Sequence, residues 1–571
     1  MLLVAAIATL LALFLSFPVV LHPTTMLFGS VGDATGTVAI YWWWSYAPTH
    51  GLPLLDNTWT GTPLGSGWDH IPFVVFQVLL MAPLSFLVGP VAAYNIGAIA
   101  SYPATAAVTF LLARRLGMGS MAAAFAALAF AFMPLHTEKA TAHLDQAHME
   151  VFPAFLLFGL RWRQGGSKWN LVAAGAVAGL TLWTDVYLAF ILSVLAAGLF
   201  VLSMLIPGDG NEPSLGDRVR KHAVALLIVA TVAAVFVPPA VAIGARSGAG
   251  LNNAVSTEVD VLQRTMFEIR AYSARPWEYV LPWHSNPFVP SSVKAFEAQH
   301  LHGSNPTENS LFLGYTVLLL AVIGLLATRR GRRMPVVLGA ATLLIGAVFA
   351  SPPSEHLGGL TMYFPSDVLG QLLPVFRVYS RFGMIVMLGA ALIAGIGLDV
   401  VRRRLSLRGG SWRALALIPF ITLGLEFTNV PPSRALAVLP PPPEYTWLQS
   451  QPQGILVEYP LATGPVTTQE IQTRQYTLYQ MVHLHQMFNG AVPSSPAGKY
   501  ASQLEPYYSP ETVDKLRSLG IRYVFVHRRD YVADGLETPR SVPGLRYITT
   551  LDDTDIFVVT SSQSKASPNP W

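Results

Sequence analysis

The chain contains no cysteine, which excludes disulfides, thiol nucleophiles and thiolate metal sites. It is also poor in charge. Only 12% of its 571 residues are Asp, Glu, Lys or Arg, about half of the roughly 25% carried by soluble domains. Between Met1 and Ala113 there is no Lys or Arg at all. No internal repeat and no glycine-rich phosphate loop is present. Residues 1–20 lack the basic n-region and small-residue cleavage site of a removed signal peptide, so they read as a retained first span.

What fills the chain instead is hydrophobic sequence, 52% of the residues. Apolar runs lie at roughly 3–20, 91–113, 119–135, 149–160, 169–184, 186–206, 223–243, 310–328, 335–350, 383–401 and 414–427. Each approaches the about 17–25 residues that a bilayer crossing needs, the shorter ones with help from their flanks. The expectation is an α-helical polytopic membrane protein with about 11 transmembrane helices, its environment the lipid bilayer.

Basic residues cluster between the runs: Arg114–Arg115, Arg161 to Lys168, Arg218 to Lys221, Arg329–Arg333 and Arg402 to Arg413. With eleven spans all five clusters fall on one face, which the positive-inside rule makes cytoplasmic. They read as topology determinants, and no nucleic-acid partner is expected. The N-terminus is then cytoplasmic, in a plasma (inner) membrane. Segment 72–89 (PFVVFQVLLMAPLSFLVG) would reverse every later loop if it crossed. With Pro72, Gln77 and Pro83 it reads as an interfacial or re-entrant helix.

Residues 1–430 form the membrane part, with outer loops at about 21–90, 136–148, 244–309 and 351–382. After the Pro-rich stretch 431–443 come strand-like runs, ILVEYP, RYVFVH and DIFVVT, around a helix near 510–519. Residues 431–571 therefore read as an extracytoplasmic α/β domain.

Candidate chemistry gathers at the outer ends of the spans. Asp33 lies in GSVGDATGT, where Gly32 and Gly36 allow a sharp turn and leave the carboxylate open. It can stay deprotonated and take a proton from a hydroxyl, or it can cap a helix over 36–47; both readings stand. The loop HTEKATAHLDQAH and its edge hold His136, Glu138, His143, Asp145, His148 and Glu150. Asp145 reads as a second active-site carboxylate, with His143 beside it. His143, Asp145 and His148 are the residues for a possible divalent metal ion, although their spacing matches no recognised zinc motif. No cofactor is otherwise implied.

Arg377 and Arg381 defy the inside preference of cations. One helical turn apart, they would face one phosphate with guanidinium forks, or snorkel to headgroups. Arg270 and Arg275 are weaker phosphate-binding candidates. The run Trp42–Trp43–Trp44 reads as an interfacial belt. His284, His302, His483, His485 and Asn489 have no assigned role.

This arrangement resembles the GT-C superfamily of integral-membrane glycosyltransferases, which includes protein O-mannosyltransferases, the lipid A aminoarabinose transferase and the oligosaccharyltransferase catalytic subunit. The matching features are a first span, a large outer loop with Gly32-Asp33, an aromatic-rich helix, the helix at 72–89, and a second acid, Asp145, in the next outer loop. The segments ENSLFLGYTVLLLAVIGL, LLPVFRVYSRFGMIVMLGAALIAGIGLD and HLHQMFNGAVPSSP look like those of bacterial YfhO-like proteins. Two features differ from the family's paired acids: Ala34 follows Asp33, and Gln146 and Ala147 follow Asp145.

The resemblance implies a transferase moving a hexosyl or pentosyl group from a polyprenyl-phosphate donor to an extracytoplasmic glycan, lipid or protein acceptor of the cell envelope. It implies inversion at the anomeric carbon, with Asp33 as general base and Arg377 and Arg381 on the departing phosphate. The competing expectations are a lipid or polysaccharide transporter or flippase, and a non-catalytic envelope-assembly protein.

Overall fold

A computed structural model describes the chain except residues 55, 67–74, 206–214, 239–264, 301–305, 327–332, 358, 375, 409, 429–434, 462–467, 492–494, 534 and 561–571. Each of the eleven apolar runs carries a helix. In chain order these are Leu2–Leu15, Pro90–Arg115, Ser120–Ala131, Val151–Arg163, Trp169–Thr184, Val186–Leu205, Leu215–Ala234, Tyr315–Leu326, Arg333–Ala350, Gly383–Arg408 and Ile418–Glu426. Among the described residues, three helical segments are by themselves long and apolar enough to cross a membrane: Pro90–Arg115, Val186–Ser203 and Tyr379–Ser406. A bent pair, Ser120–Ala131 with Pro134–Ala142, makes a fourth at 46°. Segment 72–89 contains the helix Val75–Val88 with Pro83 inside it; at 14 residues it is shorter than the about 20 a crossing needs.

The Gly383–Arg408 helix is the centre of the bundle. It packs on Arg333–Ala350, Tyr315–Leu326 and Ser120–Ala131, and 89% of its most apolar window is buried. Small residues let the backbones touch, as in membrane helix packing generally. A Cβ added at Gly397 would stand 1.9 Å from the Leu320 carbonyl oxygen. Even Gly397→Ala therefore requires the two helices to separate.

Beyond residue 434 the chain forms a four-stranded sheet in the order Ile455–Tyr459, Ile521–His527, Thr554–Val559, Leu545–Leu551. The first pair is parallel and the other two pairs are antiparallel. This α/β unit is tied to the membrane part. Met26–Phe28 pairs antiparallel with Ala435–Ala437, and one hydrophobic cluster joins Trp42, Trp43 and Trp44 to Tyr445, Leu456 and Tyr479. The tryptophan run is consequently buried, at 7%, 2% and 5% exposure, with the Thr468–His483 helix packed on its helix. The expected aromatic belt is instead the floor on which the α/β unit sits.

Candidate active site

The first loop is held down from below. Buried Asn95, on the Pro90–Arg115 helix, accepts from Phe28 N at 2.8 Å and donates to the carbonyls of Pro23 and Met26 at 2.8 and 2.7 Å. An asparagine making three such bonds costs little to bury and fixes the loop that follows. That loop turns at Gly32, whose φ of 124° no side-chain-bearing residue adopts easily, and the helix Asp33–Tyr46 begins directly after it.

Asp33 is therefore the first residue of the helix, three positions earlier than the 36–47 expected, and it is not the cap. Thr35 performs that task, its hydroxyl accepting from Gly32 N at 3.1 Å and donating to Gly32 O at 2.9 Å. The Asp33 carboxylate takes no part in the cap and lies at a helix N-terminus, which favours negative charge.

Three other segments meet it there. Arg474, on the Thr468–His483 helix of the α/β unit, donates to Asp33 Oδ1, and its side-chain carbons would stand 3.6 Å from a Cβ added at Gly36. The carboxylate expected to lie open is thus met by an arginine packed against Gly36. His143 stands between two carboxylates, with Nδ1 at 3.5 Å from Asp33 Oδ2 and Nε2 at 3.4 Å from Glu308 Oε1. Glu308, in Pro306–Asn309, is clamped by Lys139 Nζ at 2.6 Å and by Arg381 through Nε at 3.0 Å and Nη2 at 2.5 Å. Burial alone would raise the Glu308 carboxyl, but Arg381 and Lys139 override it and hold the group well below the usual carboxylate range.

A second pair of acids lies beside this cluster. Asp145 is hydrogen-bonded to Asp185, which sits in the break between Trp169–Thr184 and Val186–Leu205. Burial first, and the Asp185 charge second, push the Asp145 carboxyl up to about 8, so the pair holds a proton at neutral pH. Asp185 also accepts from Leu188 N at 2.7 Å and from Gln146 Nε2 at 3.3 Å.

The remaining candidates disperse. Residues 376–378 are irregular and only Tyr379–Phe382 forms a short 3₁₀ turn, so the helical spacing invoked for Arg377 and Arg381 does not exist. Arg381 turns to Glu308, its guanidinium 4.2 Å from the Tyr187 ring centre. Arg377 turns away to Glu268 at 3.3 Å. Arg270 and Arg275 both approach Glu355, at 3.8 and 3.5 Å.

His148 pairs with Glu150 at 3.0 Å, His143 faces Asp33 and Glu308, and Asp145 faces Asp185, so the proposed metal triad does not converge. Among the described residues no group of three His, Asp or Glu side chains is placed to hold a metal ion. In the α/β unit His483, His485 and Asn489 are buried, Asn489 bracing the Glu458 backbone with two bonds of 2.8 Å. His302 lies outside the described residues, and His284 contacts Ser285 at 3.0 Å.

Three residues of the cluster escaped the sequence reading. Asp185 had a signal, a single acid between two apolar runs. Glu308 had a weaker one, an acid just before the run 310–328. Arg474 had none, because its partner lies 441 positions away.

No family model matches the chain, and no curated protein matches it. Solved structures do. Oligosaccharyltransferase AglB from Archaeoglobus fulgidus, in complex with an inhibitory peptide and a dolichol-phosphate, superposes with a TM-score of 0.55 at 15% identity, over 100% of this chain and 75% of that one. ArnT from Cupriavidus metallidurans, bound to undecaprenyl phosphate, gives 0.54 at 13% identity over 98% of both chains. Mycobacterial arabinofuranosyltransferase AftD gives 0.55 at 16% identity over 98% of this chain and 40% of that one. The chain therefore has the GT-C fold of these polytopic membrane proteins, as its sequence resemblance implied.

Proposed function

We propose that the protein is a membrane glycosyltransferase that moves a sugar from a polyprenyl-phosphate donor to an extracytoplasmic acceptor, with inversion, at the site around Asp33. One observation carries the reading. In a GT-C fold whose solved examples hold dolichol-phosphate or undecaprenyl phosphate, a half-exposed carboxylate and a half-exposed guanidinium, Asp33 and Arg474, face each other.

The acceptor oxygen attacks the anomeric carbon while the bond from that carbon to the phosphate oxygen breaks. The acceptor proton passes to Asp33, and the electron pair leaves with the lipid phosphate. A positioned base of this kind contributes about 10²–10⁴-fold. Arg381 is engaged by Glu308, and Arg474, paired with Asp33, would carry the developing phosphate charge. Its shift from Asp33 to that phosphate would release the base as the donor arrives. The Asp145–Asp185 pair, close enough for Asp145 to feel the Arg381 charge, would offer hydrogen bonds to hydroxyl groups of donor or acceptor. The eleven-span topology, a cytoplasmic N-terminus and an outer α/β domain complete the reading, since they put all these groups outside.

The test is incubation of the purified full chain with radiolabelled polyprenyl-phosphate sugars and membrane extract as acceptor source. Label moving from the lipid into a new product supports transfer. Intact labelled lipid crossing proteoliposomes without a product identifies a flippase instead.

A further inference from the structure

The helices that carry the acids at one end build a different feature at the other. Glu150 and Asp185 sit at the N-terminal end of Val151–Arg163 and the C-terminal end of Trp169–Thr184. Sixteen residues of helix span about 24 Å, so the opposite ends of these helices reach the face on which Arg161 to Lys168 lie. An apolar cavity of about 220 Å³ opens there among Leu156, Leu160, Leu171, Leu199, Val229 and Leu338.

Directly beside it lies a crevice lined by Trp162, Lys168, Asp217, Arg220 and Lys221, and the two share Trp162, Leu171 and Ala225. Arg163 lines the rim of the apolar cavity. Four cations against one acid thus surround the mouth of an oily slot. Aromatic groups mark the boundary between the two zones. Lys221 Nζ stands 5.5 Å from the Trp162 ring centre, and His222 meets that ring edge-on at 5.6 Å. Trp169, at the start of the next helix, is 76% exposed, as an indole at headgroup depth is.

A cationic rim over an apolar slot matches one ligand chemistry, a phosphate-headed lipid with its chain in the slot. We propose that this slot binds an anionic phospholipid of the cytoplasmic leaflet, such as phosphatidylglycerol, as a bound cofactor of the fold. A polyprenyl phosphate shares the phosphate and the apolar tail. Held here, however, it would present its sugar at the end of the bundle remote from Asp33, so the phospholipid is the occupant. The slot and its charges stand whether or not the Asp33 site transfers sugar.

The experiment measures binding to the full-length protein in phosphatidylcholine nanodiscs doped with phosphatidylglycerol or with undecaprenyl phosphate. Retained lipid is counted by native mass spectrometry, and orientation is checked by protease access from each side. Phosphatidylglycerol should be retained preferentially, and R220Q/K221Q should weaken it about thirtyfold, the loss expected for two cations at a membrane surface. Leu338→Trp, which fills the slot without changing charge, should weaken it as well in a protein of unchanged orientation. Retention of phosphatidylglycerol no better than phosphatidylcholine, or undiminished in both variants, overturns the proposal. Displacement by equimolar undecaprenyl phosphate reassigns the slot to the donor lipid and overturns it equally.

Discussion

His143 lies between two carboxylates of very different standing. Glu308 is 5% exposed, accepts from Lys139 and Arg381, and is held well below the usual carboxylate range. Asp33 is 38% exposed and meets one arginine, itself 31% exposed, from a separate part of the chain. A buried anion clamped by two cations is an anchor, because releasing either cation leaves uncompensated charge in a low-dielectric setting. A half-exposed anion paired with a half-exposed arginine and a histidine can exchange the arginine for substrate. On the proposed function, similar chemistry a few ångströms apart would divide into structure and function according to burial.

If that division is right, substitution at the two carboxylates should separate activity from stability. The largest effect on turnover falls on Asp33→Asn, which should lower sugar transfer by about 10²–10⁴-fold while the unfolding midpoint stays near that of the parent; activity and thermal unfolding on the same preparation check both. Glu308→Gln should do the converse first, costing about 3–5 kcal/mol of stability through the stranded Arg381 and Lys139, read from denaturant or thermal unfolding.

Arg474→Gln comes next. Losing one charged hydrogen bond of about 1.5–3 kcal/mol should raise KM for the lipid donor about tenfold to a hundredfold, and Arg474→Lys should recover part of it. The smallest effect concerns the second acid pair. The Asp145 carboxyl is raised to about 8 by burial and by Asp185, so its folded form holds a proton that the unfolded chain has lost. The stabilisation is therefore full below the ordinary Asp range near 4 and declines as pH rises toward 8. Relative to the parent, Asp145→Asn should flatten that decline, measured as unfolding midpoint against pH.

Legibility followed the range of each signal. Helices under the eleven apolar runs were readable because a bilayer imposes a length and a composition on contiguous sequence. Asp33 was readable because an acid beside Gly32, just after an apolar run, is costly without a purpose. Its surroundings were legible only in part: His143 reads as a site residue beside Asp145, Glu308 gave a weak signal just before an apolar run, and Arg474, 441 positions from Asp33, gave none. Arg377 and Arg381 show the reverse error. Their spacing was sound only on a helix, and the chain there is irregular. The tryptophan run has the composition of an interfacial belt, but the α/β unit that buries it is encoded some 400 residues later.

The most direct examination is a structure of the full chain with a polyprenyl phosphate bound in nanodiscs. The account predicts the phosphate within hydrogen-bond reach of Arg474, the Arg474–Asp33 pair opened, and Arg381 still on Glu308. A phosphate seated on Arg377 or at the Arg220–Lys221 end, with Arg474 still closed on Asp33, would contradict it.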